Sequence, residues 1–462
     1  MTDAIPAIRL DHARTERESL LPERLCNLER LLATMEARDI DGLVSYYVPN
    51  VLYLSSFYAA GGHAHLEANG LAAFVFSRHH PDHPILVVQD TELAFFRHQP
   101  SWVSDIRPFS SLVRQLDLPD DPDFIDNFLP RDALNTDWAR RMRENLTPSL
   151  VLGVRKAVGD LGLSHARVAF DNPRLARQLR LDDVEEVDGY GLMKHVRLVK
   201  TPQELEILKT AADINQRALQ ATVDSWTRGM TWRDLAREYA RNVTARSGLC
   251  RDPYPFVVSN PPHGDPAFLV HAGLDPDYAI EPGMRIMFDC HGTFKEYGWD
   301  GGKTWIVDGG DDPASVRTAN AFSEALQEME ARMVPGTKIS ELQGTARAVL
   351  RRHGLADPER ALFFFHGVGL EHGEIELLSR GGEPEARRLV GDRGDGHLHP
   401  PLLRRLRTRT VLAGGRGDRA RRRRPIDLRL GFPAAHPVNP GGFGSWFRRR
   451  PAGAGQAGLA VR

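Results

Sequence analysis

The chain has 462 residues, of which 41% are hydrophobic and 26% charged, and its formal net charge at pH 7 is −1. This composition is typical of a globular protein with two or three domains and excludes a wholly disordered chain. The sequence has no apolar run of the roughly 18 residues that a membrane span needs. Three widely spaced cysteines, Cys26, Cys250 and Cys290, exclude a disulfide framework and a CxxC zinc site. We therefore expect a cytoplasmic protein that does not insert into a membrane.

Residues 21–195, after an extension over residues 1–20, alternate between helical and strand-like patterns. Apolar residues from Leu25 to Met35 recur at helical spacing. Strand-like apolar runs are predicted at residues 42–46, 71–76, 85–88 and 168–170. This alternation predicts an α/β domain.

A second domain, of α+β type with antiparallel strands, is predicted over residues 196–390. Its first helix has Thr201 as a plausible N-cap, Pro202 at the first helical position and Glu204 as a capping-box carboxylate. Two further helices are predicted at residues 231–244 and 339–352, the latter capped by Ser340. Strand-like segments are predicted at residues 256–259, 268–271, 285–289 and 303–307.

The composition changes abruptly at residue 391. Sixteen Arg and four Asp give residues 391–462 a net charge of +12, so the preceding 390 residues carry −13. These last residues contain no Glu or Lys and show no helical or strand period. One interpretation is a solvated or nucleic-acid-binding tail. The favoured one is a segment of little order translated in the wrong reading frame of a GC-rich gene, in which case binding to nucleic acid is not expected.

Two acidic residues form the strongest candidate site. Asp289 ends a buried-strand pattern, and Asp300 follows eleven residues later, just before another strand. Two antiparallel strands joined by the polar segment 291–296 would place these carboxylates opposite each other on one face. Two inward carboxylates stay charged in a site of low dielectric constant only when a cation lies between them. The pattern therefore predicts a divalent-metal site, and the alternative is a pair of solvated turn acids.

Three histidines add to this candidate site. His366 follows an apolar run and precedes a glycine-rich stretch that ends in His372, and His271 ends another strand-like run. Imidazole suits Zn, Fe, Co or Mn, and a histidine at a strand end can also polarise a substrate carbonyl. Each histidine taken alone could instead be a hydrogen-bonded structural residue.

These motifs together resemble those of the pita-bread metallopeptidases, the family of aminopeptidase P, prolidase, methionine aminopeptidase and their creatinase relatives. The segment RLVKTPQELE at residues 197–206 is similar to the opening of that family's catalytic domain. DIDGLV at residues 39–44 and NVLYLSSF at residues 50–57 are similar to the creatinase-type amino-terminal domain. The resemblance covers about residues 21 to 376. It implies a pita-bread catalytic domain preceded by an α/β creatinase-like domain.

The resemblance also implies roles for individual residues. Asp289, Asp300 and His366 would be metal ligands, and His271 and His372 would be catalytic residues on the substrate side of the site. An intact relative would hold two divalent ions (Mn, Co, Zn or Fe) and cleave a peptide or small amide at a C–N bond, as Xaa-Pro aminopeptidases and prolidases do. We also expect a homodimer.

The sequence departs from the family pattern in three places. His291 and Gly292 replace a more usual glycine-rich start, and His372 lies one residue closer to His366 than is usual. The family also has two later glutamate ligands, whereas no Glu follows Glu385. These losses predict an impaired enzyme. The alternatives are a metal-free creatinase-like or other small-molecule hydrolase or lyase on this fold, and a non-catalytic binding scaffold.

Overall fold

The computed structural model describes residues 21–59, 69–97, 99, 101–110, 124–251, 256–260, 277–308, 313–334, 336–374 and 407–412. These residues form two compact units. The first contains the residues up to Leu205 together with Glu374, and the second contains Glu206–Gly373 and the strand Arg407–Leu412. The sequence predicted the domain boundary after residue 195. None of the described helices is both long enough and apolar enough to cross a membrane.

The first unit is built on one mixed sheet. Its strands are β1 (Gly42–Tyr47), β2 (Asn69–Ser77), β3 (Ile85–Gln89), β4 (Asp105–Phe109), β5 (Arg167–Phe170) and β6 (Glu185–Asp188). They lie in the order β4-β3-β2-β1-β5-β6. Strand β2 runs antiparallel to β1 and β3, and the other three pairs are parallel. The four strands predicted in this unit are confirmed.

Helices surround this sheet. They are α1 (Leu28–Ala37), α2 (Val48–Ser55), α3 (Asp137–Glu144), α4 (Leu150–Asp160), α5 (Pro173–Leu179) and α6 (Gly189–Arg197). Short 3₁₀ helices lie at Asp90–Arg97, Phe124–Phe128 and Arg131–Ala133. Val75 and Val87 on the sheet share one buried apolar cluster with Val154 on α4. These valines of β2 and β3 therefore lie on the sheet face against which α4 packs.

A buried network of charges lies inside the first unit. Arg197 and Glu374 are 1% and 2% exposed, and their Nε and Oε1 atoms lie 3.3 Å apart. Lys200 also pairs with Glu374, and the Arg197 guanidinium donates to Asn50. Burial raises the pKa of Glu374, but Lys200 and Arg197 outweigh that effect, so the pKa lies below its ordinary value. Glu374 is therefore a buried carboxylate that is held ionised by two cations.

Replacing Glu374 by alanine should strongly destabilise this unit. The change leaves two cations buried without their carboxylate, and removal of one partner of a buried ion pair costs about 3–5 kcal/mol. Urea unfolding measures the loss. Glu144→Ala, which removes the exposed partner of Arg140, should leave the unfolding free energy nearly unchanged. Equal effects of the two variants would contradict a structural role for the network.

The second unit combines helices with antiparallel strands. Its helices are α7 (Pro202–Asp224, of which the first turn lies in the first unit), α8 (Trp232–Thr244), α9 (Pro313–Arg332) and α10 (Ile339–Arg352), with a 3₁₀ turn at Pro358–Arg360. Its strands are β7 (Leu249–Cys250), β8 (Phe256–Asn260), β9 (Arg285–Phe294), β10 (Tyr297–Gly301), β11 (Thr304–Ile306), β12 (Ala361–His366) and β13 (Arg407–Leu412). Strand β9 pairs antiparallel with β7, β8, β10 and β11, as the predicted antiparallel pattern requires.

Two of the predicted helix starts have different outcomes. At α7, the Thr201 amide donates to Glu204 and the Glu204 amide donates to the Thr201 hydroxyl, so the predicted capping box is confirmed. At α10, the helix begins at Ile339 after Lys338, so the prediction that Ser340 is the cap is wrong. Glu341 accepts from the Lys338 amide instead, at 3.5 Å.

Helix α9 and strand β13 were not among the predicted elements of the second unit. Helix α9 packs its buried residues, among them Phe322 and Met329, against α10 in one apolar cluster. Strand β13 lies in the arginine-rich tail and pairs antiparallel with β12. The rest of residues 391–462 lies outside the described residues, so the predicted lack of order and the reading-frame interpretation stay predictions.

Candidate metal centre

The β9–β10 hairpin positions the acidic pair. Strand β9 continues to Phe294, so the prediction of a polar connection over residues 291–296 is wrong for most of that segment. Lys295 and Glu296 form the turn, with φ values of 50° and 66°. In this register Asp300 lies opposite His291, whereas Asp289 lies two residues earlier along β9. The two aspartates share a face, but the expectation that they lie directly opposite each other is wrong.

The other face of the hairpin is bound to the helices of the second unit. Trp299 is buried and its indole N–H donates to the Tyr239 hydroxyl at 3.2 Å. That hydroxyl donates to Asn215, and the Asn215 amide donates to the carbonyl of Gly301 at 2.9 Å. Both neighbours of Asp300 are thus fixed by α7 and α8. This arrangement holds the Asp300 backbone in place.

Cys290 lies between Asp289 and His291 but belongs to the core. Its side chain is fully buried in the apolar cluster with Trp299 and Ile286. Burial, with a smaller contribution from Asp289, raises the pKa of the thiol well above its usual value. Cys290 is therefore a neutral packing residue and not a ligand, as expected from strand alternation.

Strand β12 and the segment after it bring two histidines to Asp300. His366 is the last residue of β12, and its Nε2 lies 2.9 Å from Asp300 Oδ2. The Gly298 amide of β10 donates to the Gly369 carbonyl at 2.6 Å, which ties the following segment to the hairpin. His372 then lies with its Nε2 3.5 Å from the same carboxylate oxygen.

A third histidine, His291, approaches the other oxygen of Asp300. Its Nε2 lies 3.1 Å from Asp300 Oδ1 and 3.9 Å from Asp289 Oδ1. Asp289 and Asp300 are only 3% and 5% exposed, whereas the His372 side chain is 46% exposed. Three imidazoles therefore converge on one buried carboxylate, with a second carboxylate on the same face. His291 was expected only as a departure from the family pattern, and its spacing of two residues from Asp289 was the signal that could have placed it in the site.

Each ring nitrogen of His366 contacts an oxygen atom. Its Nδ1 lies 3.0 Å from the Gly367 carbonyl, which can only accept, so this contact is a hydrogen bond in the tautomer that carries the proton on Nδ1. A neutral ring would then direct the Nε2 lone pair at the acceptor oxygen of Asp300. Either a second proton or a metal ion resolves this repulsion. Histidines that bind metals usually donate their other ring N–H to such an acceptor.

The distances also fit a shared ion. Ligand atoms about 2.1 Å from a metal ion lie roughly 3.0–3.5 Å apart when they subtend about 90–110° at the ion. The three contacts of Asp300 with imidazole nitrogens, at 2.9, 3.1 and 3.5 Å, fall near this range. The ligand atoms of His291, Asp300 and His372 all lie within 4.8 Å of one another. The donor set is thus compatible with a divalent ion.

Comparison with known proteins identifies the second unit. Residues 206–392 match the model of metallopeptidase family M24. The chain therefore carries a domain of metallopeptidase family M24. This family implies divalent metal ions, in agreement with the donor set around Asp300. The predicted resemblance to the pita-bread metallopeptidases is confirmed.

Individual M24 relatives are distant. The chain is 26% identical over 205 residues to the Xaa-Pro dipeptidase of Pyrococcus furiosus, a match that covers 44% of this chain and 53% of that protein. The matched region thus spans about half the length of the relative.

Solved M24-type structures have the same fold. A dipeptidase from Pyrococcus horikoshii superposes with a TM-score of 0.52 at 17% identity, over 74% of this chain and 82% of that one. An X-Pro aminopeptidase from Thermotoga maritima superposes with a TM-score of 0.50 at 18% identity, over 73% and 82%. The pita-bread fold with its preceding α/β domain is therefore confirmed.

Four of the five predicted site residues of this M24 domain lie together. They are Asp289, Asp300, His366 and His372. The fifth, His271, lies outside the described residues, as does the predicted strand at residues 268–271. The proximity of these four residues is an observation, and their individual roles are proposed below.

Gly302→Ala should damage the M24 site through the backbone. A Cβ at this position would overlap the carbonyl of Phe288, which is main chain and cannot move aside as a flexible side chain can. We expect a loss of at least about 2 kcal/mol of unfolding free energy, together with weaker metal binding. Chemical unfolding and a metal titration measure both.

Gly298→Ala is the matched control in the same hairpin. Its Cβ would lie 3.4 Å from the Gly369 oxygen, at an ordinary contact distance. If Gly302→Ala behaves like this control, the close approach of residue 302 to β9 does not position Asp300.

Proposed function

We propose that this chain is a metal-dependent hydrolase of the Xaa-Pro dipeptidase or aminopeptidase type, which cleaves a peptide or small amide at a C–N bond. The observation that carries the proposal is the convergence of imidazoles on the buried Asp300, within a domain of family M24. The names of the relatives support the substrate class. The mixed histidine and carboxylate donors are compatible with Mn, Co, Zn or Fe.

Asp289, Asp300 and His366 are the proposed ligands. The two carboxylates offset the charge of one divalent ion, and the neutral imidazole of His366 adds a donor without adding charge. A divalent ion in this position supplies a Lewis acid for the scissile carbonyl and acidifies water. A hydrogen bond from His366 Nδ1 to the Gly367 carbonyl would direct the Nε2 lone pair toward a bound ion.

His372 is the proposed substrate-side residue. It is the most exposed of the three clustered imidazoles, and its Nε2 still lies 3.5 Å from Asp300. From this position its ring can donate a hydrogen bond to a substrate oxygen and stabilise negative charge that develops there. His271 is proposed for the same side of the site on the resemblance alone.

We also propose that the activity is impaired. The resemblance calls for two further glutamate ligands, and the sequence contains no Glu after Glu385. The family match ends at residue 392, next to the compositional break at residue 391, which supports the reading-frame interpretation. Loss of two of five ligands lowers both the charge and the coordination number of the site.

Asp300→Asn should abolish most divalent-metal binding. The change keeps the size of the side chain but removes the charge that faces three imidazoles, so we expect affinity to fall at least about 100-fold. Elemental analysis after equilibrium dialysis against Mn, Co, Zn or Fe measures the bound ion. Asp213→Asn, on the exposed face of α7, is the control and should bind like the unchanged chain.

Activity is measured with the same metal-loaded samples. Slow, metal-dependent hydrolysis of Xaa-Pro dipeptides that Asp300→Asn removes would support the proposal. Two tightly held ions with rapid turnover would contradict the impairment. Hydrolysis that persists in Asp300→Asn and in the presence of a chelator would favour the metal-free alternative.

A further inference from the structure

His291 has a place in the metal centre that the resemblance does not assign. The family pattern provides Asp289, Asp300 and His366, but His291 contacts both aspartates, at 3.1 Å to Asp300 and 3.9 Å to Asp289. Strand alternation places Asp289 and His291 on one face, and the register places His291 opposite Asp300. The His291 side chain therefore lies on the same face of the hairpin as both aspartates.

A neighbouring ring also restrains the orientation of His291. The ring of His372 meets it edge to face, with centroids 4.6 Å apart and an interplanar angle of 88°. The His291 side chain is only 21% exposed. Its Nε2 is therefore held toward the carboxylates, and little rotamer freedom would be lost on binding an ion.

The number and charge of the available ligands favour His291 as an additional ligand. Asp289 and Asp300 already offset the two positive charges of one divalent ion, so a further neutral donor adds coordination without excess negative charge. An imidazole is such a donor, and it suits Zn, Cu, Fe and Ni better than Mn, whereas carboxylates extend the range of the site toward Mn and Mg. The ligand atoms of His291 and Asp300 lie within 4.8 Å of each other, in a cluster that also includes His372.

We propose that His291 is a metal ligand and that it shifts the preference of the centre toward Zn²⁺ and away from Mn²⁺. The proposal rests on the proposed function in one respect, namely that the Asp300 cluster binds a divalent ion. It differs from a hydrogen-bonding role for His291, in which the ring would orient Asp300 and affect every metal alike. Metal selectivity separates the two roles.

The test compares His291→Ala, His291→Gln and His165→Ala in the full-length chain, each titrated with Zn²⁺ and Mn²⁺ against a competing chelator. Glutamine can still donate to Asp300 but is a poor ligand for Zn²⁺. Both His291 variants should lose at least about 10-fold in Zn²⁺ affinity and less than about 3-fold in Mn²⁺ affinity. His165→Ala, at an exposed histidine of the first unit, should change neither. The proposal would be overturned if His291→Gln kept the Zn²⁺ affinity of the unchanged chain, or if the His291 variants lost Zn²⁺ and Mn²⁺ affinity equally.

A second measurement does not depend on the folding of a variant. Carbethoxylation of histidines in the unchanged chain, read peptide by peptide by mass spectrometry, should slow at His291 when Zn²⁺ is added and stay unchanged at His165. Protection of His366 without protection of His291 would overturn this inference and leave the proposed function standing. Absence of any Zn²⁺ or Mn²⁺ binding would overturn both.

Discussion

A buried carboxylate stays ionised only when hydrogen-bond donors or a cation offset its charge, and Asp300 lies buried among three imidazoles. It is 5% exposed and has imidazole nitrogens within 2.9 to 3.5 Å of its two oxygens. In the tautomer whose Nδ1 donates to the Gly367 carbonyl, the Nε2 of His366 approaches Asp300 favourably only with a second proton or a metal ion. A divalent ion at Asp300 would therefore stabilise the observed arrangement.

The second unit holds this arrangement from two sides. On one side, Asn215 and Tyr239 of the helices hydrogen-bond to Gly301 and Trp299, the two neighbours of Asp300. On the other side, the hydrogen bond from the Gly298 amide to the Gly369 carbonyl holds the segment that carries His372. These contacts pre-organise the donors, so binding an ion costs little ordering of the chain. The candidate metal centre thus depends on the hairpin, two helices and one loop together, within a domain of family M24.

Much of the fold follows from local patterns in the sequence. The apolar runs of β1, β2 and β3 and the capping box at Thr201 are short-range signals, and both are confirmed. The limits of the β9–β10 hairpin were predicted wrongly, because its turn has Lys295 and Glu296 at positive φ, where asparagine or glycine is the usual signal. Strand β13 was missed because six residues within an arginine-rich segment carry no period of their own.

Four residues of the candidate site could be predicted from the sequence, but its geometry could not. Asp289, Asp300, His366 and His372 could be named from the sequence, because carboxylates and histidines at strand ends near glycines indicate metal chemistry. The pairing of Asp300 with His291 depends on the hairpin register, and a shift of one residue would have turned His291 away from the site. No local pattern determines that register when the turn signal is missing.

X-ray absorption at the edge of a metal bound to the full-length chain tests the central claim most directly. The multiple-scattering pattern of imidazole distinguishes histidine nitrogen from carboxylate oxygen in the coordination shell. For a Zn²⁺-loaded chain we predict at least two imidazoles together with carboxylate oxygen, consistent with His291 and His366 beside Asp300. A shell of oxygen donors without imidazole would contradict the account.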